Sequence, residues 1–226
     1  MSTNQGGPVP KSESVAIQWF NSYSGVSIKT LGKTLVIDPC MVNAKDFGDV
    51  DAVLITHEHH DHFDEAILKE IFSLTKCMVI ADPTTYELIK GIPKTKLVKA
   101  GVGTQLKVGD VQIYVELSHH PPAATPVTYM IVCENGLAIY HTSDSLPFTD
   151  MSDIGQRFKP DLTFCTIGIA PGASPRSGAE IAKLVQPKVA VPYHGSRFNE
   201  FSDILGNEAP QIKSMILEIG KEYKYP

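Results

Sequence analysis

Apolar residues along this chain fall in short clusters punctuated by glycine, proline and polar residues, a pattern of many brief strands and few helices. SVAIQWF, VSIKT and KTLVIDP predict a meander, with Gly25 and Gly32 marking its turns. AVLIT is different, because it is apolar without alternation, as in a strand covered on both faces. The period then changes in DEAILKEIF, where Ala66, Ile67 and Ile71 recur at helical spacing and Asp64 is placed to cap the N-terminus. CMVIAD, KLVKA, TQLKVGDVQIYVELS, VTYMIVCENGLAIYHT, DLTFCTIG and KVAVPYH continue the strands. TTYELIKG and SGAEIAKLVQ are the remaining clear helices, and QIKSMILEIG fits either period. With no internal repeat or linker, the pattern predicts one α+β domain over residues 14–226, two sheets in one core with helices outside. Residues 1–13, MSTNQGGPVPKSE, lack a signal-peptide core and read as a disordered tail.

Composition narrows the function classes. The 226 residues are 42% hydrophobic and 20% charged, as in ordinary globular proteins. A net charge of −5 argues against broad nucleic-acid binding, which needs a basic footprint, but leaves room for a small anionic substrate met by a few cations. No apolar run approaches the roughly 20 residues of a membrane span. Cys40, Cys77, Cys133 and Cys165 are widely separated, which predicts reduced thiols in a cytoplasmic protein. Cys133 and Cys165 sit inside apolar runs and read as core packing.

Chemistry concentrates directly after AVLIT. His57, His59, Asp61 and His62 form H-x-H-x-D-H, beginning one residue beyond the expected strand end. A turn there lets alternate side chains project into one space, and imidazole with carboxylate suits zinc, manganese, iron or nickel. A solvated loop needs no such density of histidine. Other candidates stand at equivalent places: Asp144 follows GLAIYHT, His194 follows KVAVPY, and His119-His120 follows VQIYVELS. Convergence from several strand ends favours an active site over a closed structural zinc.

In their order, KTLVIDP, LITHEHHDHFD, IYHTSDS, CTIGIAP and VAVPYHG resemble the metallo-β-lactamase superfamily, over nearly all of the chain after the tail. More narrowly, the chain looks like the branch containing L-ascorbate-6-phosphate lactonase, with a more distant similarity to N-acyl-phosphatidylethanolamine phospholipase D. The resemblance implies a four-layered αββα sandwich with two divalent metal ions, most simply zinc, at one edge of the sheets. His57, His59 and one of the paired histidines would hold the first ion. Asp61, His62 and His194 would hold the second, and Asp144 would bridge them. The family register favours His120, whereas alternation from Val111 would turn His119 inward. Two features depart from the family: Ser143-Asp144-Ser145 replaces Gly-Asp-Thr, and WFNSYSG stands where a Gly-His pair is common.

Two adjacent cations would lower the pKa of a bridging water, giving a hydroxide that attacks a polarised carbonyl or phosphoryl group. Asp61 would orient that nucleophile. The leading expectation is thus a binuclear hydrolase of a small ester, lactone or phosphoester. A phosphodiesterase of nucleotides or phospholipids, and a metal-binding protein without turnover, are the alternatives. Arg176 and Arg197 are the candidate contacts for an anionic substrate. Asp38, in VIDP, is placed to orient a ligand histidine through its free ring nitrogen. His60, Glu58, His141 and Trp19 read as solvent-facing or supporting residues, loops 120–127 and 170–178 as shapers of the substrate site, and a homo-oligomer as the family habit.

Overall fold

A computed structural model describes residues 14–225; the expected tail, residues 1–13, lies outside them. The first sheet contains β1 (Val15–Trp19), β2 (Val26–Lys29), β3 (Thr34–Ile37), β4 (Ala52–Ile55), β5 (Met78–Ala81) and β6 (Leu97–Lys99), with β14 (Glu222–Tyr225) added beside β1. The second contains β7 (Gln105–Val108), β8 (Val111–Leu117), β9 (Val127–Val132), β10 (Ala138–His141), β11 (Leu162–Thr166), β12 (Val189–Tyr193) and β13 (Lys213–Ser214). Its spatial order is β13-β12-β11-β10-β9-β8-β7. The predicted meander is β1-β2-β3, antiparallel throughout.

Alternation along each strand builds the layers. Leu54 joins Ile17, Ile28, Ile113, Tyr129 and Phe164 in the core between the sheets. Val53 and Ile55 point the other way, into a cluster with Leu68 and Ile71 of α1 (Glu65–Thr75). AVLIT is therefore covered on both faces. Outside the second sheet, α3 (Met151–Phe158), α4 (Pro175–Val185) and α5 (Phe198–Glu208) pack on Tyr140, Cys165 and Ala190. The result is the four-layered helix-sheet-sheet-helix sandwich, with the short α2 (Pro83–Leu88) on the outer side of the first sheet.

Some local expectations need correction. Asp64 caps α1 as expected, accepting the N–H groups of Ala66 and Ile67 at 2.9 and 3.1 Å. Ala66, however, is exposed, and Leu68 takes the buried place assigned to it. Helices α3 and α5 escaped the periodicity reading; neither has a side-chain N-cap hydrogen bond. QIKSMILEIG contributes only the two-residue β13.

Gly155 is where α3 crosses α4 closely: a Cβ there would lie 2.2 Å from the carbonyl oxygen of Val185. Backbone cannot swing aside as a side chain can, so Gly155→Ala is expected to lower stability by about 1–3 kcal/mol. Denaturant unfolding with an unchanged slope checks this, and wild-type stability would mean that the helices separate freely.

The parallel runs β3-β4-β5-β6 and β10-β11-β12-β13 aim their C-terminal ends at one edge of the sandwich. That edge receives every residue of the histidine motif. Among the described residues, no helix is long and apolar enough to cross a membrane.

Candidate metal centre

Beyond Ile55 the chain turns sharply, and the N–H groups of His62 and Phe63 both donate to the carbonyl of His59, at 3.0 and 2.8 Å. This coil brings side chains from both sides of the turn to one place. His57 and His59 meet His120, while Asp61 and His62 meet Asp144 and His194. Within each group the candidate ligand atoms all lie within 4.8 Å of one another.

Asp144 stands between the groups. Its Oδ2 lies 4.0 Å from His57 Nε2 and 3.7 Å from His120 Nε2. Its Oδ1 lies 3.2 Å from His62 Nε2 and 2.7 Å from His194 Nδ1. Each oxygen thus faces one cluster. Asp61 Oδ2 closes the second, 3.6 Å from His194 Nε2 and 3.8 Å from His62 Nε2.

Behind the second cluster, Asp38 is wholly buried and accepts hydrogen bonds from Thr56 N and Oγ1, at 2.8 and 2.7 Å, and from Ser24 Oγ at 3.0 Å. The same carboxylate faces His62 Nδ1 at 2.8 Å, so that nitrogen carries a proton and Nε2 is turned to the cluster. The role read from VIDP is visible here.

Electrostatics sort the clustered groups. Burial pushes His57 far down, and the neighbouring His62 reinforces it, so its ring is neutral. His120 is lowered chiefly by burial. For His62, burial opposes the charge, but Asp144 and Asp38 outweigh it and raise the ring to about 10. Burial likewise works against ionised Asp144, yet His62 and His194 hold its carboxyl well below the usual range. In Asp61 burial is also overcome, by His194 and then His62, and the net direction is down.

Among the described residues, His62 Nε2, both ring nitrogens of His194 and Asp144 Oδ1 are buried without a hydrogen-bond partner. Even the 2.7 Å approach of His194 Nδ1 to Asp144 Oδ1 lacks hydrogen-bonding alignment. Buried polar atoms without partners are costly unless something fills the space between them. Nitrogen and carboxylate donors converging in this way fit divalent transition-metal ions.

At this edge Asp38, Ser143 and His194 are among the residues that hold left-handed backbone without being glycine, with φ of 50°, 50° and 53°. Such conformations are uncommon for non-glycine residues and gather at functional sites. Ser143 therefore adopts the glycine-type turn despite its side chain. Its Oγ donates to Thr56 Oγ1 at 2.7 Å, and Tyr193 Oη donates to its carbonyl at 3.1 Å.

The other sequence candidates take varied places. His119 is exposed, with its N–H donating to Ser145 Oγ, whereas His120 is buried in the first cluster. His60 is exposed, and His141 is buried with Nε2 2.8 Å from the carbonyl of Ser24. Glu58 accepts from Ala124 N, which ties the motif to the loop after His120. Trp19 is buried and donates to the carbonyl of Tyr23. Arg176 and Arg197 are exposed, ion-paired with Glu208 and Glu200, and belong to neither cluster. All four cysteines are free and buried. Cys40, read only as a thiol, donates its Sγ–H to the carbonyl of Asp61 at 2.6 Å. Ser24, Thr56 and Tyr23 were not singled out in the sequence, although WFNSYSG and AVLIT contain them, since a lone hydroxyl leaves no periodic signal.

A family model described as the beta-lactamase superfamily domain matches residues 25–195, which hold all seven clustered side chains. This chain belongs to the metallo-β-lactamase superfamily. Among superfamily relatives, a UPF0173 metal-dependent hydrolase of Caldivirga maquilingensis is 26% identical over 93% of this chain and 98% of its own length. A UPF0173 protein of Pyrococcus furiosus is 31% identical, over 76% of this chain and 80% of its own. Igni18, a metallo hydrolase of Ignicoccus hospitalis with 23% identity, shares the fold with a TM-score of 0.80, covering 94% of this chain and 99% of its own.

Proposed function

We propose that the protein is a binuclear metal-dependent hydrolase of a small ester, lactone or phosphoester. The observation that carries this reading is Asp144, one oxygen toward each cluster, with unpartnered buried donor atoms around it. His57, His59 and His120 would hold one ion; Asp61, His62 and His194 would hold the other, with Asp144 shared. Two divalent cations, zinc first and manganese, iron or nickel as alternatives, would supply an activated water and polarise the substrate oxygen. The chain's own contribution is orientation. Asp61, the least buried residue of the second cluster, would accept a hydrogen bond from the attacking water, and Asp38 fixes the ring of His62. The metal-dependent hydrolases among its relatives support the same class of activity.

Metal analysis of protein purified without chelator, paired with hydrolysis of p-nitrophenyl phosphodiesters and simple lactones, tests the proposal. About two ions per chain, with turnover abolished by chelation, are expected. Two ions with no turnover on any substrate would favour a non-catalytic metal protein, and failure to bind metal after reconstitution would overturn the reading of both clusters.

A further inference from the structure

The segments around the metal centre are poor in positive charge. Residues 20–25, 38–43, 56–63, 118–126, 142–149, 167–174 and 194–197 contain one lysine or arginine between them, Arg197. Its guanidinium is 3.1 Å from Glu200. A phosphomonoester would bring up to about two negative charges, and with the one arginine of these segments already ion-paired, the metal ions alone would have to meet them.

Apolar side chains stand there instead. Met41 is 70% and Ile169 54% exposed, and both hold left-handed backbone, with φ of 53° and 35°. For a β-branched residue this is a true outlier. Each is coupled through its preceding residue to the backbone of a clustered residue. Cys40 donates to the carbonyl of Asp61, and Gly168 lies so close to the next strand end that a Cβ there would meet Gly195 Cα at 3.0 Å and the carbonyl oxygen of His194 at 3.4 Å. Met41 follows β3 of the first sheet and Ile169 follows β11 of the second, so each stands beyond a strand end at the edge that carries the clusters. Tyr23 adds a ring set edge-on to His194, with centroids 6.0 Å apart. Strained backbone that holds apolar side chains in water gains nothing for folding, whereas a ligand that covers them recovers the burial.

We infer that the substrate is an uncharged carboxylic ester or lactone whose apolar portion lies against Met41 and Ile169, beside Asp61 and His194. This inference rests on the hydrolase reading above and narrows it. In the reaction a water oxygen bonds to the carbonyl carbon, the acyl C–O bond breaks, and the alcohol oxygen leaves with a proton from that water. No further reactant is needed.

The test is calorimetric titration of the metal-loaded protein with straight-chain carboxylates from acetate to decanoate, as product analogues, with phenyl phosphate for comparison. Affinity should rise roughly twofold per methylene, about half the full-burial value. The double variant M41S/I169S should flatten that slope with its metal content unchanged. A flat series in the wild type, an unaltered slope in the variant, or phenyl phosphate binding more tightly than decanoate would overturn the inference. Turnover of the matching p-nitrophenyl esters, measured in parallel, reports on the hydrolase reading separately. A slope in binding without turnover keeps the apolar surface and removes the enzyme; turnover without a slope does the reverse.

Discussion

Asp144→Asn is expected to reduce bound metal from about two ions per chain to about one and to lower turnover roughly 10³-fold, equivalent to about 4 kcal/mol of transition-state stabilisation. Asparagine keeps the volume and one carbonyl oxygen, but it cannot present an anionic oxygen to each cluster. The carboxylate lies within 4.0 Å of nitrogen atoms of His57, His62, His120 and His194. Among the described residues, no other carboxylate faces histidines of both groups within 4.0 Å. Elemental analysis and steady-state kinetics on the same preparation check the two effects together, and circular dichroism confirms that the fold persists. Two ions and full turnover in the variant would remove Asp144 from its bridging role.

Asp38→Ala should act through stability and metal retention together. The substitution strips partners from Thr56 N, Thr56 Oγ1, Ser24 Oγ and the ring of His62, all in a region closed to solvent. Each buried group left unsatisfied costs about 1–3 kcal/mol, and the combined loss should reach roughly 3–5 kcal/mol after relaxation. Metal held by the second cluster should weaken about 10- to 100-fold, the usual effect of removing the partner that orients a ligand histidine. Asp38→Asn separates the two consequences, because it preserves packing and one acceptor while losing the charge opposite His62. Competition with a chromophoric chelator reads retention, and urea unfolding reads stability. Unchanged retention in both variants would mean that His62 is oriented by Ser24 and Thr56 alone.

How far the site could be read from sequence depends on the local structure carrying each residue. H-x-H-x-D-H was legible because it begins just after a continuous apolar strand, so its place at a strand end followed from pattern. Asp38 was legible for the same reason, one residue beyond β3. Alternation misled at His119 because it holds only while the pleat lasts. Val115 is buried, but Leu117, the next residue of that parity, ends β8 45% exposed, and Ser118 and His120 turn inward instead. Two sheets in one core with helices outside were visible in the change from period-two to helical segments, while the four-layered order came with the superfamily resemblance, and α3 and α5 were not read. Ser24, Thr56 and Cys40 became meaningful only through contacts that span many residues of chain.

The pairing of β1 with β14 has a consequence for how the molecule is assembled. Val15 meets Tyr225, so one flank of the first sheet joins segments from opposite ends of the described chain. Until β14 is made, β1 presents a row of unpaired amides while the rest of the sandwich can already gather. During synthesis that open flank is a surface on which a second nascent chain could pair, and the late arrival of four residues, Glu222–Tyr225, is what seals it.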